Sequence, residues 1–263
     1  MKLGFIGCGN MAGAIISGIL SAGLCAPEDI TAADVSADAR ARAEAKWQIR
    51  TAAENRVAAQ ADIVFIAIKP QYTDAALAEL APMLTPSQLV ISIVAGKSLA
   101  YFAEVLGAEI PVIRTMPNTP AMVGEGMTAL SPNAQVSSAQ LETARQIFGC
   151  FGKAEVLPEN LMPAVVGVSG SSPAYVFMMI ESMADAAVAE GMPRAQAYTF
   201  AAQAVLGSAK MVLETGLHPG ELKDMVCSPA GTTIEAVRIL EETGLRGSLM
   251  QAVHTSAEAS RHL

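Results

Sequence analysis

The chain carries two rhythms of apolar and polar positions. Through residue 158, short apolar runs alternate with amphipathic or alanine-rich stretches, with Gly or Pro between them; from residue 159 the spacing stays helical to the end. The first run, Leu3-Gly4-Phe5-Ile6, breaks at Gly7-Cys8-Gly9-Asn10-Met11-Ala12-Gly13 and resumes as an apolar face through Leu20. That reads as strand, tight turn and helix. Residues 29–33 read as a second strand ending at Asp34, 37–46 as an exposed helix, and 47–51 as a short strand or its approach, with Asn55 at a turn. Residues 61–68 form an almost continuous apolar, β-branched run, the pattern of a central parallel strand covered on both faces, and Pro70 stops it. Helices over 74–84, 99–106 and 137–148 and strands over 88–94, 111–115, 126–130 and 153–157 extend the alternation. The predicted fold class is α/β, with an N-terminal Rossmann-type doubly wound sheet over 1–158.

Helices over 172–191, 194–215, 218–226, 232–243 and 247–261 follow, rich in Ala, Met, Val and Leu. They predict an all-helical C-terminal dimerisation domain over 159–263, too poor in polar positions for a monomer, so that helices of two copies pack together. Composition sharpens this expectation: apolar residues make up 52% and charged residues 16%, and the mean hydropathy is +0.38. Such a chain hides much surface between subunits or in a membrane. Two uncharged runs test the membrane alternative. Residues 3–27 are dense in Gly, with Asn10 and Ser17 in the interior; residues 160–180 contain Pro163, Gly167, Gly170 and Pro173, which would interrupt a spanning helix. A homodimer, or a higher homo-oligomer built on dimers, is therefore expected, with no membrane. The net charge of −8 and pI of about 4.9 disfavour nucleic acid. Cys8, Cys25, Cys150 and Cys227 show no paired spacing and read as free thiols in a reducing, cytoplasmic compartment; the three histidines form no ligand pattern, so no metal is expected.

Candidate chemistry starts at the glycine turn. Gly7 allows the chain to leave the strand sharply, Gly9 lets a pyrophosphate approach the backbone, and small Ala12 lets the helix pack close. The helix N-terminus then offers N–H groups and a positive dipole end to an anion. Asp34 can accept from a ribose diol, which favours NAD, while Arg40 could supply a base for a 2′-phosphate; Asp34-Val35-Ser36 as a plain helix cap is the competing reading. Lys69-Pro70 and Met116-Pro117-Asn118-Thr119-Pro120 both follow strands at their carboxyl ends, where open α/β sheets bind ligands, though ordinary turns explain them too. In the helical part, Cys227 to Thr233 joins two helices through small residues. Thr232 with Glu235 forms a capping box by spacing, and the Ser228, Thr232 and Thr233 hydroxyls with the N–H groups around Gly231 could equally hold a carboxylate.

Taken together, Gly4 to Ala12, Ile68-Lys69-Pro70, Met116 to Pro120, Ser169-Gly170-Ser171-Ser172-Pro173-Ala174-Tyr175, Leu222-Lys223-Asp224 and Ser228-Pro229-Ala230-Gly231-Thr232-Thr233-Ile234 resemble the pyrroline-5-carboxylate reductase family. The resemblance implies reduction of the cyclic imine 1-pyrroline-5-carboxylate to L-proline, the last step of proline biosynthesis, with NADPH or NADH as cofactor. It implies a cofactor lying across Ile6, Gly7, Cys8, Gly9, Asn10, Met11, Asp34, Asn55, Ala67, Ile68, Lys69, Pro70, Ile93, Val94 and Ala95. The substrate would sit against Val226, Cys227, Ser228, Gly231, Thr232 and Thr233 from the helical domain of a partner subunit, with Thr233 as the catalytic group near the ring nitrogen. Family members often have Gly where this chain has Ser172 and Ala230, and Ser where it has Asp34, which leaves NADPH against NADH open. An imine reductase needs a positioned hydride donor and a carboxylate anchor but no strong general acid if the iminium arrives protonated, and none is visible in the sequence. A β-hydroxyacid dehydrogenase would need a lysine or histidine to move the hydroxyl proton, and the helical half offers Lys210 and Lys223. A non-catalytic NAD(P)H-binding sensor is the alternative from another class.

Overall fold

The structure is a computed structural model and describes residues 1–262; Leu263, the last position of the predicted helical domain, lies outside the described residues. Its backbone divides into two compact units, residues 1–170 with 256–262, and residues 171–255.

The first unit is built on an eight-stranded sheet in the order β3-β2-β1-β4-β5-β6-β7-β8. The strands are β1 (Leu3–Ile6), β2 (Ile30–Ala33), β3 (Arg50–Ala52), β4 (Ile63–Ile66), β5 (Leu89–Ser92), β6 (Val112–Met116), β7 (Gly126–Pro132) and β8 (Gly152–Val156). Helices α1 (Asn10–Ser21), α2 (Ala37–Trp47), α3 (Asn55–Ala58), α4 (Thr73–Leu80), α5 (Leu99–Leu106) and α6 (Ser138–Gly149) connect them. The strand order reverses direction at β1, the switch point of a doubly wound fold. Every pairing is parallel except β6 with β7. The link between those two strands holds a short 3-10 turn, Thr119–Val123, in place of a crossover helix, so the chain must return antiparallel.

Strand β4 shows why the sequence yields a sheet covered on both faces. Successive side chains alternate sides, so Ile63 and Phe65 join the core under α1, α2 and α6, while Val64 and Ile66 join the core under α3, α4 and α5. Phe65 stacks on Phe5 at 4.5 Å between ring centroids and meets Phe148 edge-on at 6.4 Å. Close approach also uses glycine: a Cβ on Gly4 would lie 1.9 Å from the Ala58 carbonyl oxygen, so α3 can rest on β1 only because that position has no side chain.

Two local expectations shift. Trp47 belongs to the end of α2, which closes on Gln48 in the left-handed region (φ 56°), so the strand predicted from residue 47 begins at Arg50. Asn55, predicted at a turn, opens the one-turn helix α3.

From Glu159 the backbone stays coiled. A 3-10 turn (Glu159–Leu161), α7 (Met162–Val165), a π-helical turn (Val166–Gly170) and α8 (Ser172–Ala189) follow one another. The prolines expected to interrupt this path do not. Pro163 and Pro173 fall in the first turns of α7 and α8, where no intrahelical N–H is required, and the small residues Gly167 and Gly170 are absorbed by the π turn. The stretch Glu159–Ala189 has the length and hydropathy to cross a membrane, by those two criteria alone.

The second unit holds α8, α9 (Arg194–Thr215), α10 (Pro219–Val226), α11 (Thr232–Glu242) and most of α12 (Leu245–Ser260). Its buried cluster is small: Ala184, Ala197 and Ala201, with Ile180, Ala187, Val188 and Met192 packed around them.

Candidate functional site

The ladder hydrogen bonds of β1, β2, β4 and β5 run on past the strands: Gly7 N–H donates to the Ala33 carbonyl (2.7 Å), Ala67 N–H to Ile6 (2.9 Å) and Ile93 N–H to Ile66 (3.1 Å). Four chain segments therefore leave the sheet at one level, and the turns that follow form a lip. Gly7 turns at φ +106°, and a Cβ there would sit 2.5 Å from the Ala67 carbonyl oxygen. Gly9 is different, because a Cβ would meet no protein atom within 4 Å. Packing does not require that glycine, and its bare backbone leaves room for an approach from outside. Gly9 is also the N-cap of α1, no side chain caps the helix, and its first turn carries no acidic residue, so the N–H groups and the positive dipole end are free for an anion.

A groove of about 460 Å³ opens on this lip, lined by Ile6, Gly7, Gly9, Asp34, Asn55, Ala67, Ile68 and Lys69 among the predicted positions. The sequence reading missed Val35, Tyr72, Ala75, Ala76 and Glu79, which line it too. For the last three the signal was the spacing on α4, where residues 75, 76 and 79 fall on one helical face; Tyr72 precedes that helix and Val35 follows Asp34. Of the remaining predicted cofactor positions, Asn10 is exposed, Met11 packs against the core, and Pro70 starts a 3-10 turn (Pro70–Tyr72). Val94 and Ala95 line a separate cavity of about 140 Å³ with Arg114, Met116, Met162 and Val166, while Ile93 packs against the sheet core.

Asp34 ties the turn together. Its Oδ2 accepts from Cys8 N–H and its Oδ1 from Ser36 N–H, both at 2.9 Å. Arg40 Nη1 donates to the Asp34 carbonyl (2.7 Å) and the Val35 carbonyl (3.2 Å), so the guanidinium is held by main chain and not by the carboxylate. Ser36 caps α2, accepting from Ala39 N–H at 3.2 Å. Both competing readings of the Asp34 segment thus coexist: Ser36 caps, while Asp34 faces the groove. Burial first, then the Asp34 carboxylate, push the Cys8 thiol up to about 11, with Arg40 opposing; Cys8 is a neutral thiol here and no nucleophile.

The Met116 to Pro120 loop is fixed by Asn118, which is 9% exposed. Its Oδ1 accepts from Met127 N–H (2.8 Å) and its Nδ2 donates to the Ser169 carbonyl (3.0 Å) in the π turn.

The predicted substrate residues stand on the corner between α10 and α11, in the second unit. Val226 ends α10 and is 63% exposed, Cys227 follows as its C-cap, and Ser228 accepts Gly231 N–H on its carbonyl at 3.0 Å. The predicted capping box does not form. Gly231 in extended geometry is the N-cap, which makes Thr232 and Thr233 the first helical residues; Glu235 instead accepts from Arg238 at 3.2 Å. No side chain caps α11, so the hydroxyls of Thr232 and Thr233 are not spent on that role. A Cβ on Gly231 would lie 2.4 Å from Ser228 Oγ, so a side chain there would require that hydroxyl to turn away. The lysines that a hydroxyacid dehydrogenase would use are both paired with carboxylates, Lys210 exposed and Lys223 half-buried. Lys210 lies 3.4 Å from Glu214, and Lys223 lies 2.6 Å from Asp224, whose hydrogen bond raises the Lys223 pKa further. Among the described residues no group of histidine, cysteine and carboxylate side chains could hold a metal ion.

Comparison with known proteins adds an independent line. A family model described as pyrroline-5-carboxylate reductase dimerisation matches residues 159–263, and one described as NADP oxidoreductase, coenzyme F420-dependent, matches residues 2–96. The pyrroline-5-carboxylate reductase of Escherichia coli (strain K12) is 54% identical over 263 residues, 100% of this chain and 98% of that protein. The solved pyrroline-5-carboxylate reductase from Coxiella burnetii is similar with a TM-score of 0.93 at 33% identity, covering 99% of this chain and 97% of that one. The Plasmodium falciparum pyrroline carboxylate reductase, solved with NADP bound, gives 0.90 at 31% identity, covering 100% and 97%.

Proposed function

This chain belongs to the pyrroline-5-carboxylate reductase family, and we propose how its parts divide that family's reaction, the NAD(P)H-dependent reduction of 1-pyrroline-5-carboxylate that completes proline biosynthesis. Residues 1–158 hold the dinucleotide; residues 159–263 hold the substrate and make the contact between copies in the homo-oligomer. The observation that carries the cofactor half is the uncapped N-terminus of α1 behind Gly9, where a Cβ would meet nothing. When bound, the reduced nicotinamide supplies the hydride for the C=N carbon. The chain supplies everything else: first-turn N–H groups of α1 for the pyrophosphate, Asp34 for the adenosine ribose, and Val94 and Ala95 as an apolar wall beyond β5.

At the other end of the reaction, the first-turn N–H groups of α11 and the hydroxyls of Ser228 and Thr232 anchor the substrate carboxylate. Thr233 hydrogen-bonds at the ring nitrogen and orients an iminium that arrives already protonated, so no side chain is asked to act as a strong acid. The compartment is the cytoplasm, in keeping with four free cysteines.

One assay tests the whole reading: loss of nicotinamide absorbance with pyrroline-5-carboxylate present, with proline measured as product. Cofactor binding without proline formation would instead favour the sensor alternative. Thr233→Ala should then lower kcat/KM for the imine about tenfold, the worth of one well-placed hydrogen bond, and leave cofactor affinity unchanged. An equal loss of cofactor binding would remove Thr233 from the substrate side.

A further inference from the structure

We propose that Asp34, seconded by Glu79, makes this chain select NADH over NADPH. The inference rests on the reductase reading above and adds to it which cofactor the groove accepts.

Asp34 is the first residue beyond β2, on the strand next to β1. Its carboxylate cannot swing away, since one oxygen is held by Cys8 N–H and the other by Ser36 N–H, each at 2.9 Å. A carboxylate has about four acceptor sites, so both oxygens can still accept from the hydroxyls of an unmodified ribose. A 2′-phosphate replaces one of the two donating hydroxyls and brings a second anion against a fixed one.

The opposite wall repeats the arrangement. Glu79 on α4 lines the groove, and its Oε2 accepts from Asn55 Nδ2 at 2.9 Å. That bond takes up one of the two amide protons through which Asn55 could serve a phosphate. Among the described residues Lys69 is the one cation lining the groove, and it follows β4. Strand β4 lies two places from β2 in the sheet, about 10 Å at the usual strand spacing. Arg40 and Ser36 are the groups that would favour a phosphate. Arg40 is anchored on the Asp34 and Val35 carbonyls, and both Arg40 and Ser36 lie outside the groove lining.

The test is side-by-side kinetics with NADH and NADPH, together with calorimetric binding of each oxidised and reduced nucleotide to the full-length protein. The expected wild-type result is a preference for NADH of about tenfold or more in kcat/KM, carried by KM because the ribose is remote from the hydride. Asp34→Ser should move the NADPH/NADH ratio by about 10- to 100-fold toward NADPH, and Glu79→Gln by less in the same direction. Asp34→Asn keeps the side-chain shape and serves if the serine variant folds poorly; it should move the ratio in the same sense. Arg40→Ala should leave the ratio within about twofold. A wild type that prefers NADPH, or an Arg40→Ala variant that loses NADPH selectively while Asp34→Asn changes nothing, overturns the inference. Turnover with neither nucleotide would sink the reductase reading instead, and the calorimetric ratio would still decide the selectivity.

Discussion

All seven phenylalanines divide cleanly between the two units. Phe5, Phe65, Phe102, Phe148 and Phe151 in the sheet unit are each less than 2% exposed, whereas Phe177 and Phe200 in the helical unit are 62% and 67% exposed. The sheet unit covers its apolar residues with its own helices, on both faces of β4. The helical unit buries mainly alanines, which cannot hold five helices together by themselves, and leaves Met178, Leu213 and Met250 more than half exposed as well. One unit is complete in a single chain; the other needs a second copy. The family match to a dimerisation domain over 159–263 says what supplies it.

The largest effect should come from breaking that dependence. Phe200→Asp places a charge in a face that a second copy has to dry, and desolvating an unpaired carboxylate costs several kcal/mol. Sedimentation should show the oligomer dissociating, and reductase activity should fall by more than about 100-fold if the partner completes the site. Trp47 is the one tryptophan, packed against Gly13 and donating to Ser17 at 2.8 Å in the sheet unit. Its emission should stay native-like in the dissociated variant. Emission shifting with dissociation would mean that the sheet unit is not self-sufficient, and the contrast between units would fail.

Next in size is a cavity inside the self-sufficient unit. Phe65→Ala removes the ring stacked on Phe5 and edge-on to Phe148, at an expected cost of about 3–5 kcal/mol. Denaturant unfolding followed by Trp47 should show the loss. A cost under about 1 kcal/mol would mean that this core collapses around the gap, unlike a well-packed interior.

The same contrast explains what could be read from the residues. Strands β1, β4 and β5 and helices α5 and α9 were legible because their patterns answer to burial inside one chain or to strong local periodicity. The sequence offers the Asp34 carboxylate as an acceptor at the end of β2, but its grip on Cys8 N–H was not legible, because that bond joins two turns brought together only by the parallel pairing of β1 with β2. Glu79 and Tyr72 escaped for a similar reason: they look like an ordinary exposed helix face until the sheet places α4 beside the glycine turn. At the α10–α11 corner the spacing of Thr232 and Glu235 satisfied a capping rule that the backbone then did not use, since Gly231 took the cap position.

Burial in the sheet unit also sets a pH response. The Cys8 thiol ionises near 9.0 when free and at about 11 in the folded protein. Between those values the unfolded chain loses this proton and the folded one keeps it, so stability is fully present below pH 9 and falls as pH rises toward 11. Cys8→Ser should flatten that part of the stability curve measured by denaturant unfolding. Asp34→Asn should lower the thiol pKa, visible as faster alkylation of Cys8 at a given alkaline pH. An unchanged alkylation rate would separate Cys8 from the carboxylate.

The smallest effect tests the helical unit's backbone. In the sheet unit the sharp turn after β1 is made by a glycine, Gly7, whereas the corner before α11 places Ala230 in the left-handed region at φ 52°. An alanine there costs about 1 kcal/mol, part of which glycine returns as extra freedom in the unfolded chain. Ala230→Gly should therefore raise stability by no more than about 1 kcal/mol, read as a small rise in Tm. Because the corner keeps its path, kcat/KM for the imine should stay within about twofold. A lower Tm would show that Ala230 is held at this corner without strain.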